Sequence, residues 1–528
     1  MVESFFYGYD KNIVLLLLKR CWNMKSKIYG VFLLFEAFFM FLTSLVAFYY
    51  HYQYGETDVA AFLASTMVTG IFGFILLSAG REKHDKQRGC VYLSNLTMKD
   101  SFIIVTVTWI LFSIFGMLPF LMTGTINSIT DAFFESISGF TTTGITVVED
   151  IDNLSHGILF WRSMIQWLGG LGIIVLFLAI IPAINRSSNN VMLFSAEMSG
   201  IGVKKLHPKM MMTARRLWGI YIMLTLMCAF FYYMGPMNFF DAVCHAMSTI
   251  ATGGISTHNE SFGYWNSPYL EYVGSFFMLI SGVNFSLYYL LITGHLGEVA
   301  KNEELRWYIG IFVLCVALFI GLFYIAPDVH TVYTDISAYP QDFESRFRTS
   351  LFYVSSVISS TSFQSSCSDF NAWGGLFMIP TLLIMVSGAC AGSSSGGIKI
   401  IRVAICLKSV NNAIKKMLHP NAVFTVRMSK EVIIDEQLAR VLNFLFFYLF
   451  LCIFSVIVLI LTGCNFDESI FNTITALSNM GPSIGRFAAG FDELSAVAKW
   501  FMSFLMLVGR LEIFTVLILF TPAFWKNK

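Results

Sequence analysis

The sequence predicts an all-α integral membrane protein: four pseudo-repeated helix–pore loop–helix units around a central pore, preceded by two extra transmembrane helices. Three observations predict it. The 528 residues are 56% hydrophobic with a net charge of +1, a composition of the membrane class. One short apolar segment occurs four times, at Asp131–Thr146, Asp241–Ser256, Thr349–Gln364 and Glu468–Ile484. Lys and Arg concentrate in alternate loops, as the positive-inside rule demands of a multi-pass chain.

In each copy of the repeat one position falls thirteen residues after the opening residue: Gly144, Gly254, Ser362 and Gly481. The copies are spaced by 110, 108 and 119 residues, an internal repeat in register. Each apolar run has about 12 residues, which at about 1.5 Å each is too short for a bilayer core of about 30 Å. Each run leads into Ser, Thr, Gly or Pro482, where a helix cannot continue. Such backbone is tolerated at membrane depth only inside protein or beside a water-filled cavity. Four half-crossing helices with extended ends suggest a ring of carbonyls that replaces the water around a monovalent cation. Four hairpin loops on a transporter surface are the competing reading, which repetition in register disfavours.

Taken in order, Leu15–Leu18 between Lys11 and Lys19–Arg20 reads as an amphipathic segment on the membrane face, too short for a secretory core. Full spans follow at Ile28–Tyr50 and Val59–Gly80, then a charged loop from Arg81. The segment 1–100 thus precedes the repeat. Unit one (101–185) has Phe102–Gly124, the short helix from Asp131, and Gly157–Pro182. Unit two (186–295) has Leu217–Gly235, the helix from Asp241, and Tyr269–Thr293. Unit three (296–410) has Arg306–Ala326, the helix from Thr349, and an interrupted span from Trp373 to Leu407. Unit four (411–528) has Val441–Thr462, the helix from Glu468, and Leu494–Phe520. The total is ten full crossings and four re-entrant ones.

The expected inner segments hold 28 of the 34 Lys and Arg residues. The other side carries acids such as Glu149, Asp150, Asp152, Asp328, Asp335, Asp342, Asp492 and Glu493, which would concentrate cations at an outer mouth. Both termini are then cytoplasmic and all four pore loops lie outside.

Candidate ligands are the backbone carbonyls of Thr142, Thr143 and Gly144; Thr252, Gly253 and Gly254; Ser360, Thr361 and Ser362; and Asn479, Met480 and Gly481. The glycines supply φ > 0, so Ser362 must bear strain or reshape its quadrant. Asp131, Asp241, Glu468 and Thr349 are expected to cap their short helices.

These residues carry a family resemblance. GFTTTGIT, GACAGSSSGGIKIIR (Gly388–Arg402), LHPNAV (Leu418–Val423) and LVGRLEIFTVLILFTP (Leu507–Pro522) together resemble the TrkH subunit of bacterial Trk potassium-uptake systems, in the superfamily with KtrB and the plant HKT proteins. The resemblance runs from about residue 100 to the end, and the two leading spans also match. It implies potassium as the transported ion, a homodimer in the bacterial inner membrane, lipid contact, and a cytosolic TrkA-like nucleotide-binding regulatory subunit. No nucleotide-binding motif occurs in this chain, so nucleotide sensing would need that partner. The family has Gly at each filter position, and Ser362 departs from it. In plant relatives a Gly-to-Ser change in one filter loop goes with sodium permeation, so a sodium-permeable or sodium-coupled transporter is the alternative.

Val386–Gly397 breaks the third unit's second span. With Gly388, Gly392, Gly396 and Gly397 it reads as a flexible intramembrane gate loop, or as a packing kink. Arg510 lies deep in the last span, where a charge costs several kcal/mol on insertion scales of about 3 kcal/mol per residue. It reads as an electrostatic gate that donates to loop carbonyls, a role the resemblance also assigns, or as a structural pair. Glu512 faces another side of the helix.

His245 reads as packing rather than proton coupling, and Asn284 as a hydrogen-bonding bridge across helices. The ten cysteines read as small apolar packing residues. No His or Cys spacing matches a zinc or haem site, and the charge balance gives no reason to expect nucleic acid. A lipid-modifying membrane enzyme would need a polar cluster that the dispersed histidines do not provide.

Overall fold

The computed structural model describes residues 11–79, 98–184, 210–325, 340, 342–365, 375–429, 431–488 and 490–525. The charged loop from Arg81 and the acids Asp328 and Asp335 lie outside these. Among the described residues six helices are long and apolar enough to cross a membrane, or eight if each of two bent pairs is one span.

From Lys11 the expected surface segment is part of one continuous helix, Lys11–Tyr54. It packs in a hairpin with Val59–Ala79, and the backbones touch. A Cβ on Gly30 would stand 2.6 Å from Leu77 N, the close approach that small residues allow between membrane helices.

The four short helices span Ile129–Phe140, Phe239–Ala251, Phe343–Ile358 and Phe466–Ser478. Their caps correct the sequence reading. Ser128 and Asn238 accept from the amides of Asp131 and Asp241, while Asp342 and Asn465 form capping boxes. Asp131, Asp241 and Glu468 therefore sit at the third helical position, where only Glu468 helps to cap by accepting from Asn465 N at 3.0 Å. Thr349 is inside its helix, which starts at Phe343, because Asp342 supplies an earlier cap.

Long helices flank each short one. Unit one has Met98–Gly116 and His156–Ile184, and unit two begins with Met210–Tyr233. Unit three has Glu303–Ile325, then Gly375–Ser387 and Ile400–Leu418 on either side of the expected break. Unit four begins with Asp435–Leu461.

Two spans expected to be single are bent. Pro268–Ser281 turns by 95° into Phe285–Ile292, and Ala496–Arg510 turns by 117° into Ile513–Phe520. At the first bend Asn284 Oδ1 accepts from Ser286 N at 2.8 Å. Asn284 thus caps its own second half-helix, and among the described residues its side chain makes no hydrogen bond to another helix. At the second, Glu512 takes a left-handed φ of 64°. Among the described residues one two-stranded antiparallel hairpin, Arg427–Met428 with Glu431–Val432, lies between the helices Ile400–Leu418 and Asp435–Leu461.

Aromatic and aliphatic side chains bury the short helices, with Phe134, Phe140 and Trp161 wholly enclosed around the first. Cys228, Cys244, Cys315, Cys390, Cys406, Cys452 and Cys464 are free, and Cys228, Cys244, Cys390 and Cys464 are buried.

Candidate functional site

Each short helix ends in a left-handed turn, at Thr142 (φ 55°), Thr252 (56°), Ser360 (59°) and Asn479 (49°). A second left-handed residue follows at Gly144 (82°), Gly254 (77°) and Ser362 (71°). Ser362 carries the strain expected of it. Gly481 is outside the left-handed region, which corrects the reading that all four positions require it. Gly481 is instead short of space: a Cβ there would stand 3.2 Å from Ser362 Cβ and from Thr143 O, and 3.3 Å from Gly144 O.

The four loops meet in a closed cycle. A Cβ on Gly144 would collide with Gly253 O, and one on Gly254 with Thr361 O. Gly481 N donates to Ser362 Oγ at 2.6 Å. Asn479 Nδ2 donates to Thr143 Oγ1 at 3.1 Å, which returns the cycle to the first loop. Thr142, Thr143, Thr252, Gly253, Ser360, Thr361, Asn479 and Met480 are buried, whereas Gly144, Gly254, Ser362 and Gly481 are all partly open. Four positions equivalent in the repeat are thus brought together at one surface.

Buried side chains brace the loops from behind. Ser138 Oγ donates to Ile145 O at 2.6 Å, Ser356 Oγ to Phe363 O at 2.8 Å and Thr475 Oγ1 to Pro482 O at 2.5 Å. The equivalent Ser248 instead donates to Gln166 Oε1 at 2.6 Å. Gln166, from the long helix of unit one, also accepts from Ile255 N (3.1 Å) and donates to Gly253 O at 2.6 Å. Sequence reasoning missed Gln166, because a contact 87 residues away leaves no local signal. A second brace joins Arg162 to Glu135 (2.9 Å) and to Thr146 Oγ1 (3.0 Å). His245 holds Ser256 Oγ at 3.0 Å and Asp241 O at 2.9 Å. Asn472 accepts from Ser483.

Beneath this ring lies the segment Gly388–Lys399. Gly388, Gly392 and Gly397 are left-handed, and a Cβ on Gly396 would collide with Ser478 O at the end of the fourth short helix. Gly396 N donates to Ser360 Oγ at 2.9 Å, and Ser394 Oγ to Ile250 O at 3.1 Å. Ala391 N donates to Glu304 Oε1 at 2.6 Å. Arg510, 5% exposed, donates through Nη1 to Ser394 O and through Nη2 to Gly169 O at 3.1 Å. Glu512 pairs with Arg402 at 2.6 Å.

At the opposite end of the short helices the acids are paired: Asp131 with Lys499 at 2.7 Å, and Glu468 with Arg486 at 2.9 Å. Arg348 on the third short helix meets Glu271 at 2.9 Å. His258 stacks on Tyr264 at 3.6 Å, 2.6 Å from Asp152 and 3.5 Å from Asp241. Burial alone would lower its pKa, but the two carboxylates outweigh burial and raise it above the ordinary histidine value. Among the described residues no group of three or more His, Cys, Asp or Glu could hold a metal ion. The ring itself presents backbone oxygens, hydroxyls and the Asn479 amide.

The TrkH family model, described as "Cation transport protein", matches residues 64–527. The Trk system potassium uptake protein TrkH of Escherichia coli K12 is 36% identical over 508 residues, 95% of this chain and 99% of that protein. The Trk system potassium uptake protein TrkG of the same organism is 34% identical over 441 residues, 82% of this chain and 86% of that one. The crystal structure of the potassium transporter TrkH from Vibrio parahaemolyticus superposes with a TM-score of 0.81 at 32% identity. It covers 95% of this chain and 99% of that one.

Two predictions follow from the braces. Gln166→Ala leaves Gly253 O and Ile255 N without their partner and should cost about 1–3 kcal/mol, read as a lower unfolding temperature in detergent. A raised histidine pKa means that the folded state holds the proton more tightly. Its stabilisation is full below the unfolded value of about 6.5 and is lost as pH rises through the folded value. The unfolding temperature of wild type should therefore fall over that alkaline interval by more than that of His258→Gln. Parallel curves would refute the pairing of His258 with Asp152 and Asp241.

Proposed function

The chain belongs to the TrkH family of cation transport proteins, and on that premise we propose that it takes up potassium across the bacterial inner membrane. The observation that carries this reading is the closed cycle of four loops, with Gly144, Gly254, Ser362 and Gly481 the partly open position in each. A potassium ion gives up water only where oxygens replace it at similar energy. The carbonyls of Thr142 to Gly144, Thr252 to Gly254, Ser360 to Ser362 and Asn479 to Gly481 are the ligands in this reading. The short helices aim their negative C-terminal ends at the same place. Both termini are cytoplasmic, the four units divide near residues 101, 186, 296 and 411, and the chain works as a homodimer with a TrkA-like nucleotide-binding subunit. The protein is a transporter and not an enzyme.

The gate is Gly388–Lys399. Its anchors under the ring include Ser360, Ile250, Glu304, Arg510 and the close packing of Gly396 on Ser478. Opening must break several of them. The Ser394 carbonyl held by Arg510 contributes most, because hydrogen bonds to a charged group are worth about 1.5–3 kcal/mol. A guanidinium below the ring also repels a cation that arrives there.

A sodium-permeable variant of the same function is the second reading, and Ser362 favours it. Its hydroxyl accepts from Gly481 N, so one junction of the ring is closed by a side chain that a glycine lacks.

Uptake of potassium and rubidium by a transport-deficient host, with sodium as competitor, tests the function; no uptake by well-expressed protein would end it. Arg510→Ala should raise basal flux several-fold in proteoliposomes. Unchanged or abolished flux in a folded variant would argue against the gate. Ser362→Gly should raise the potassium-to-sodium flux ratio, and equal ratios would dismiss the sodium reading.

A further inference from the structure

Glu36 lies in the middle of the first spanning helix. It is eleven residues past Lys25, where the span begins, or roughly 16 Å into it. It is 1% exposed. Neither carboxylate oxygen has a hydrogen-bond partner among the described residues. The same holds for Ser136 Oγ on the first short helix, which is wholly buried. The two side chains converge on Gly116: a Cβ there would stand 2.8 Å from Ser136 Oγ and 3.3 Å from Glu36 Oε1. Gly116 O is already taken, by Trp161 Nε1 at 3.0 Å.

Among the described side chains, the surrounding elements offer Glu36 no cation. Val59–Ala79 contains no ionisable residue. On Met98–Gly116, Asp100 pairs with Lys25 at 2.7 Å and Lys99 donates to Phe524 O at 2.8 Å. On the first short helix, Asp131 belongs to Lys499 and Glu135 to Arg162. On His156–Ile184, Arg162 is held by Glu135, and His156 pairs with Glu56 at 2.6 Å. On Met210–Tyr233, Arg216 lies over the Tyr289 ring.

An ionised carboxylate in such a place costs several kcal/mol, on the order of the insertion penalty for a charge at mid-bilayer. We infer that Glu36 is a proton-binding site, and that its protonated carboxyl, facing Ser136, holds the N-terminal helix pair against the first pore unit. The proton comes from the aqueous phase and binds a carboxylate oxygen, and the new O–H can donate to Ser136 Oγ. Loss of the proton leaves a charge that must draw in water or a donor, and the packing around Gly116 must open to admit it. Ser136 lies four residues before Phe140, where the first pore helix ends, so this packing bears on the first loop of the ring. That last consequence rests on the transport function proposed above.

Infrared difference spectra of reconstituted protein test the site without reference to any transported ion. At neutral pH wild type should show the carbonyl stretch of a protonated carboxyl that Glu36→Gln lacks and that Ser136→Ala shifts. Identical wild-type and Glu36→Gln spectra in that region would overturn the site. Glu36→Gln mimics the neutral form, so its uptake should stay level toward alkaline pH while that of wild type falls several-fold. Coincident pH profiles would overturn the link to the pore. A clear band together with no potassium uptake by either protein would uphold the proton site and reject the transport function instead.

Discussion

The structure depends on the close approach of four loops to one another. Where Gly144 and Gly254 stand, the neighbouring loop's carbonyl oxygen already fills the space of a side chain. A ring this tight leaves room for hydrogen in three of its corners. In the fourth, Ser362 has a side chain, and its hydroxyl takes the Gly481 amide as partner. The strained φ of Ser362 is sustained because the surrounding loops over-determine it. Since all four loops belong to one chain, each corner can differ, which a ring of identical subunits could not permit.

Loops without regular hydrogen bonding hold a fixed shape only if their backing is stiff. The backing here is polar and buried, and it repeats with variations. Glu135, His245 and Asn472 occupy one repeat position, and each reaches the hydroxyl residue two places beyond the filter position: Thr146, Ser256 and Ser483. In the third unit the equivalent Tyr353 turns to Thr381 instead, at 3.0 Å. The loop that carries Ser362 is therefore the one whose brace from this position is redirected, so its side chain and its support depart from the pattern together. Buried polar groups of this kind stabilise only when their partners are in place, and removing one partner costs more than the pair gains.

Much of this was legible in the sequence because the repeat keeps its register. The short helices, the interrupted third span and the depth of Arg510 are local properties of composition. The acids at Asp131 and Asp241 misled the cap assignment because they sit one turn inside, where the helix dipole favours them, while Ser128 and Asn238 make the cap itself. The bends at Asn284 and Glu512 escaped because hydropathy continues across them and neither break contains proline. The left-handed turns at Thr142, Thr252 and Ser360 fall on residue types that do not announce them, whereas Asn479 is of a type that tolerates this conformation. Gln166 was invisible for a different reason: its importance comes from what lies opposite, and a single sequence does not record it. Glu36, an acid inside the span Ile28–Tyr50, carries the same local signal as Arg510.

The lower loop shows why a charge is placed at this depth. A neutral donor at position 510 could hold Ser394 O but would be indifferent to a cation above it. A guanidinium satisfies two carbonyls from different units, Ser394 O and Gly169 O, and keeps its charge while it does so. Glu512 does not neutralise it, because the 117° turn sends that carboxylate to Arg402 at the start of the helix that follows the loop. The same turn thus leaves the Arg510 charge on two carbonyls and uses the opposite charge to tie the fourth unit to the third. Displacing the loop would strain that ion pair as well as the hydrogen bonds of Arg510, so loop, bend and the helix from Ile400 are expected to move as one body.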